Sequence, residues 1–212
     1  MRYASIMFDL DGTLIDPLDD LTGAANAARN AVGLEPLPRE TVRGFVGDGL
    51  EAFLQRSLPT PFIEPARPVF KAYYRDHLTD QTRVYPGVIE TLTKLKAAGC
   101  RMAVVTNKPK VFALKIIEQL QLKPFIDVTL GGDSLPQRKP APEPFLKTLE
   151  LLSGEKSNAL VVGDGHQDIK AAKAAHLPVC GVLYGMGFPE RVKELKPDYT
   201  IQQMEDLLAI AL

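Results

Sequence analysis

The sequence predicts an α/β protein in which a mostly parallel sheet core carries an inserted α-helical cap domain. Two observations predict it. Short apolar runs recur along the chain with helix-period segments between them, and one long stretch, residues 16–81, holds helical segments but no convincing strand.

The first run, residues 3–8, ends in Asp9-Leu10-Asp11-Gly12-Thr13, which reads as a buried strand delivering carboxylates to a turn. Further runs lie at 101–106, 127–130, 159–163 and 179–182, with an edge strand around 198–201. Between them, the segment 88–98 sets Val88, Leu92 and Leu95 on one face and stops at Gly99, a helix with its C-terminal glycine. Segments 111–122 and 144–152 read likewise, and 168–175 is alanine-rich ahead of His176-Leu177-Pro178. This βαβα alternation predicts a Rossmann-like parallel sheet covered on both faces, with the active crevice at the carboxyl ends of its strands.

Within the insertion, Asp16-Pro17 suits an N-cap and first helical residue, followed by the stripe Leu18, Leu21, Ala24, Ala25 and Ala28. Further helices are expected at 40–45, 48–58 and 66–78, with prolines 59, 61, 65 and 68 breaking up the middle. Tyr85-Pro86-Gly87 marks the return to the sheet. With linkers near 13–17 and 79–86, residues 1–15 and 82–212 form the expected core and 16–81 the helical cap.

Composition narrows the partners. Twenty-five Lys and Arg against 26 Asp and Glu leave a net charge of -1, so no basic field invites a nucleic acid. Cys100 and Cys180 sit in or beside apolar runs without metal-binding spacing and are expected to be reduced core thiols. The N-terminal apolar run stops at Asp9, too early for a secretory signal, and later runs are broken by Gly, Pro or charge. A cytoplasmic protein that binds neither membrane nor nucleic acid is expected.

Asp9 and Asp11, two apart on a chain leaving a strand, share a face. Adjacent carboxylates repel, and stable uses for them are shared metal binding, a shared proton or separate acid and base roles. A solvent-exposed turn with capping aspartates is the plainer alternative. An EF-hand fails, because its sixth and twelfth positions fall on Leu14 and Asp20. Later strand ends supply matching groups: Thr106-Asn107 where a helix is about to start, Lys139 in a loop stiffened by Gly131, Gly132, Pro136 and Pro140, and Asp164 with Asp168 after 159–163. Four aspartates at one edge would repel a phosphate ester without a cation and Lys139, and all-oxygen donors favour magnesium over zinc.

Phe8-Asp9-Leu10-Asp11-Gly12-Thr13-Leu14, Thr106-Asn107, Lys139-Pro140 and Gly163-Asp164-Gly165-His166-Gln167-Asp168 together resemble, in order, the four motifs of the haloacid dehalogenase superfamily. Ala141, Gly165 and Gln167 depart from its commonest residues. The resemblance implies that the strand bearing Asp9 lies between those ending at Thr106 and Asp164. Within the superfamily, Val46-Gly47-Asp48-Gly49-Leu50, the segment from Gly131 to Pro140 and Gly181-Val182-Leu183-Tyr184-Gly185 are similar to phosphoglycolate phosphatases with a helical cap.

The roles implied are Asp9 as nucleophile and Asp11 as proton donor and later base. Magnesium would be held by Asp9, the Asp11 carbonyl and Asp164, with Asp168 behind them. Lys139, Thr106 and main-chain N–H groups near Asp11 and Asn107 would offset phosphoryl charge, with Gly12 permitting the tight turn. Arg43 and Arg75 are candidates for a substrate carboxylate. The expected substrate is a small phosphorylated metabolite, 2-phosphoglycolate first, acted on by a monomer or homodimer. The alternatives are a sugar-phosphate or pyrophosphate phosphatase, a phosphosugar mutase and a non-catalytic phosphoprotein-binding module.

Overall fold

The computed structural model describes all residues, Met1–Leu212. Strand β1 (Ser5–Phe8) leads to a two-residue strand β2 (Ile15–Asp16), and four helices follow: α1 (Leu18–Asn30), α2 (Arg39–Arg43), α3 (Leu50–Ser57) and α4 (Thr60–Asp76). The chain returns through β3 (Arg83–Val84) and α5 (Val88–Ala97) to β4 (Arg101–Val105), α6 (Lys110–Gln119), β5 (Val128–Leu130) and α7 (Glu143–Leu151). It ends with β6 (Ala159–Gly163), α8 (His166–Ala174), β7 (Val179–Val182), α9 (Pro189–Glu194), β8 (Tyr199–Ile201) and α10 (Leu207–Ala211).

Six parallel strands form one sheet in the order β5-β4-β1-β6-β7-β8. β1 therefore lies between β4 and β6, as expected. Strand alternation sorts the core into two faces. Ile6, Phe8, Met102, Val104, Leu160 and Val162 pack with α5, α6, α10 and the inserted helices. Met7, Ala103, Val105, Ala159 and Val161 pack with α7, α8 and α9. Because Phe8 is in register with Val104 and Val162, Asp9 emerges between the chains that carry Thr106 and Asp164 one step further on. Cys100 and Cys180 are buried free thiols, and no helix is long and apolar enough to cross a membrane.

The inserted helices form a cap-like region in which Leu18, Leu21, Ala24, Ala25 and Ala28 give α1 its buried face. Three details differ from expectation. The connections expected as linkers are instead paired, β2 antiparallel to β3, with Ile15 opposite Val84. Helix α1 begins at Leu18, whose N–H is accepted by Asp16 Oδ1 at 3.0 Å, so Pro17 sits just outside it. Finally, α4 runs unbroken through Pro65 and Pro68. A buried stripe of Ile63, Ala66, Phe70 and Tyr74 outweighs the two lost main-chain bonds, while Pro61 in the first turn loses none. Asp20, buried on α1, accepts Thr82 N and Oγ1, each at 2.7 Å, and ties the cap to its returning strand.

Candidate active site

The ends of β1, β4 and β6 bring the sequence candidates to one place. Asp9, Asp164 and Asp168 are buried, and a carboxylate oxygen from each lies within 4.8 Å of the others. Lys139 reaches them from the loop after β5. Its Nζ stands 2.9 Å from Asp9 Oδ1 and donates to Asp168 Oδ1 and Val105 O, both at 2.6 Å. Burial opposes charge on Lys139, but Asp168 and Asp9 more than offset it and hold the ammonium above its ordinary range.

Asp164 is fixed by Thr13 Oγ1 at 3.1 Å and by the Gly187 N–H at 2.8 Å. Burial, then the charges of Asp9 and Asp168, push its carboxyl up to about 7. Gly12 leaves room for it: at φ +87° a Cβ there would stand 2.1 Å from Asp164 Oδ2. Asp168, at the start of α8, accepts the Gly165 N–H at 3.1 Å through its other oxygen.

These residues fit a hard divalent cation. The donors are all oxygen, they crowd together, and Asp9 Oδ1, buried, has no aligned hydrogen-bond partner despite the nearby ammonium. Asp168 adjoins the cluster, but its Oδ1 is taken by Lys139 and its Oδ2 by the Gly165 N–H, while Asp11 contributes no side-chain oxygen to the cluster.

Asp11 instead meets Lys108. Lys108 Nζ lies 2.9 Å from Asp11 Oδ2 and donates to Tyr74 OH on α4 at 2.7 Å. Burial raises the Asp11 carboxyl against the pull of Lys108, and its Oδ1 is buried without a partner. Sequence reasoning gave Lys108 no role, although it follows Asn107 directly at a strand end; Tyr74 offered no signal beyond a helical stripe. Thr106 is buried beside them, its Oγ1 accepting the Lys108 N–H at 3.2 Å.

Asn107 spends its side-chain amide on structure, donating to Gly47 O of the cap and to Lys139 O, both at 2.9 Å. Gln167 and Asp48 add a second tie, Nε2 to Oδ1 at 2.7 Å. Arg43 donates to Met186 O at 3.0 Å and Gly185 O at 3.3 Å. Arg75 does not approach the site; it is exposed and paired with Asp76 at 3.0 Å.

Two spaces meet at Asp9 and Asp11. A pocket of about 50 Å³ is lined by apolar residues, most of them from the cap, together with Thr106, Asn107, Lys108 and Tyr74. A polar crevice of about 230 Å³ runs outward past Asp164, Gln167, Arg43, Arg56 and Arg191.

Comparison with known proteins agrees with this arrangement. A family model described as haloacid dehalogenase-like hydrolase matches residues 6–182. The phosphoglycolate phosphatase of Neisseria meningitidis is 37% identical over 214 residues, 96% of this chain and 91% of that protein. That of Aquifex aeolicus is 37% identical over 205 residues, 97% and 95% of the two chains. The crystal structure of a predicted phosphoglycolate phosphatase from Haemophilus somnus superposes with a TM-score of 0.95 at 33% identity, covering 100% of this chain and 99% of that one. A predicted phosphatase from Clostridium acetobutylicum gives 0.82 at 27% identity, covering both chains completely.

Proposed function

This chain belongs to the haloacid dehalogenase-like hydrolase family, and from that premise we propose that it hydrolyses 2-phosphoglycolate to glycolate and phosphate with magnesium as its cation. It is a phosphatase of that family with an aspartate cluster at its catalytic centre.

Asp9 attacks phosphorus, forming an acyl phosphate as the ester P–O bond breaks, and Asp11 gives a proton to the departing alkoxide. Water then attacks the same phosphorus and yields its proton to Asp11, releasing phosphate and free Asp9. Asp9, Asp164 and the Asp11 carbonyl would hold magnesium, with Asp168 behind them, and the ion would supply positive charge against that of the transferring group. Lys139 holds Asp9 against Asp168 so that the nucleophile is aimed before substrate arrives. Phosphate monoesters demand upwards of ~20 kcal/mol of transition-state stabilisation, which explains why nucleophile, acid, ammonium and cation site are gathered in one water-poor place.

The observation that carries the substrate reading is the small, mainly apolar pocket beside Asp11 and Lys108. At about 50 Å³ it is a small space that suits a short leaving group. The relatives' phosphoglycolate phosphatase names support the same reading. Phosphate release from a panel of small esters tests it: 2-phosphoglycolate is expected to give the highest kcat/KM, and a value below those of hexose phosphates or pyrophosphate defeats the substrate assignment.

A further inference from the structure

Two buried ammonium groups reach the front carboxylates by different routes. Lys139 joins Asp9 to Asp168, the phosphorus side of the reaction. Lys108 touches Asp11, the residue that serves the leaving oxygen, and leans on Tyr74, its Nζ 4.8 Å from the ring centroid as well as bonded to the hydroxyl. An ammonium has three donors. Asp11 and Tyr74 account for two of them.

Around this pair the cavity wall is apolar: Leu21, Val46, Leu50, Phe53, Phe70 and Phe112. A charge is expensive in such surroundings unless it is paired. The attack on phosphorus gives Lys108 no task, since Lys139 already serves Asp9. What the position does fit is the far end of a short leaving group. In 2-phosphoglycolate a single methylene separates the ester oxygen from the carboxylate, and Lys108 stands 2.9 Å from the carboxylate that protonates that oxygen.

We propose that Lys108 and Tyr74 form a subsite for a carboxylate on the leaving alcohol, so close to Asp11 that it selects esters whose acid group lies one carbon from the ester oxygen. This deepens the phosphoglycolate reading and rests on it. Lys108 belongs to the core and Tyr74 to the cap, so the subsite is complete only when the cap is seated. Arg43, engaged by two main-chain carbonyls, lines the outer crevice instead.

The test compares two esters of one size, 2-phosphoglycolate and 2-hydroxyethyl phosphate, in the wild type, Lys108→Met and Tyr74→Phe. The wild type prefers the anionic ester. Lys108→Met reduces the kcat/KM ratio of the two by about 30-fold and Tyr74→Phe by about 5-fold, in keeping with the loss of a charged and a neutral hydrogen bond. Competitive inhibition by glycolate weakens in parallel.

Equal losses for both esters in Lys108→Met mean that it only positions Asp11, and overturn the subsite; so does a wild type indifferent to the carboxylate. Tyr74→Phe keeps the buried ring, so an unchanged ratio in that variant overturns the proposal even if Lys108→Met fails to fold. Suppose 2-phosphoglycolate is preferred and its advantage survives both substitutions: the substrate reading then stands and the subsite falls. If another carboxylate-bearing ester ranks first and loses its lead in Lys108→Met, the subsite stands and 2-phosphoglycolate falls.

Discussion

Gln167 Nε2 donates a 2.7 Å hydrogen bond to Asp48 Oδ1, joining the first turn of core helix α8 to the cap loop between α2 and α3. Arg56 holds the other oxygen of the same carboxylate at 2.5 Å, so Asp48 stays satisfied on the cap when the core bond breaks. The bond therefore acts on cap seating rather than on the integrity of either part.

Gln167→Ala removes the core half of that tie. Hydrogen bonds to charged groups contribute about 1.5–3 kcal/mol, and the low end, fitting for a partly exposed pair, makes open forms of the cap ~10-fold more populated. Faster amide exchange over residues 44–49 and a KM raised several-fold, with kcat less affected, are expected. Unchanged exchange at those amides refutes the latch.

Gly12→Ala places a methyl 2.1 Å from Asp164 Oδ2 at a φ of +87°. The carboxylate must move, so the cation site is lost along with some stability. Activity is expected to fall by at least ~100-fold and not to recover with excess magnesium. Calorimetry and magnesium titration check both parts.

Asp9→Asn abolishes the phospho-enzyme, because an amide is a poor nucleophile. Asp11→Asn leaves the nucleophile but removes the acid and the later base, so alkyl esters suffer much more than an activated aryl phosphate, whose first burst of aryl alcohol persists. Rapid-quench experiments distinguish this from a merely structural Asp11, which would reduce both ester classes alike.

Chelation is expected to abolish turnover and magnesium to restore it, calcium serving poorly because its looser coordination misplaces Asp9. Asp164 adds a pH dependence. Its carboxyl is pushed up to about 7 by burial and by Asp9 and Asp168, and a raised folded-state value stabilises at low pH and loses that contribution as pH rises through it. Metal-free protein should therefore lose stability between the ordinary aspartate range and about 7, and magnesium should raise Tm more at about pH 8 than at about pH 5.5. An equal rise at both, or the same rise in Asp164→Asn, counts against the cation site.

The amino-acid sequence by itself determined what depends on local pattern. Short apolar runs marked all six strands of the sheet, because a parallel sheet covered on both faces buries its central strands whole, and helical period marked the four helices between 88 and 175, because each buries one face. Asp9, Asp11 and Asp164 were legible because an acid at the end of an apolar strand has few neutral uses, and Lys139 because its glycine- and proline-rich loop could bring one ammonium beside them.

Tertiary structure decided what depends on a partner far away in the chain. Helix α4 continues through Pro65 and Pro68 because Ile63, Ala66, Phe70 and Tyr74 are packed from outside, which no local signal records. Arg43 and Arg75 looked alike as cap cations, yet one meets carbonyls 142 and 143 residues away and the other only its neighbour Asp76. Asn107 was recognisable at its strand end, but its bonds to Gly47 and Lys139 needed the cap in place. Lys108 acquires its meaning only when Asp11 and Tyr74, 97 and 34 residues away, close around it: burial turns an ordinary lysine into a paired charge inside an apolar cavity, and burial is a property of the assembled fold.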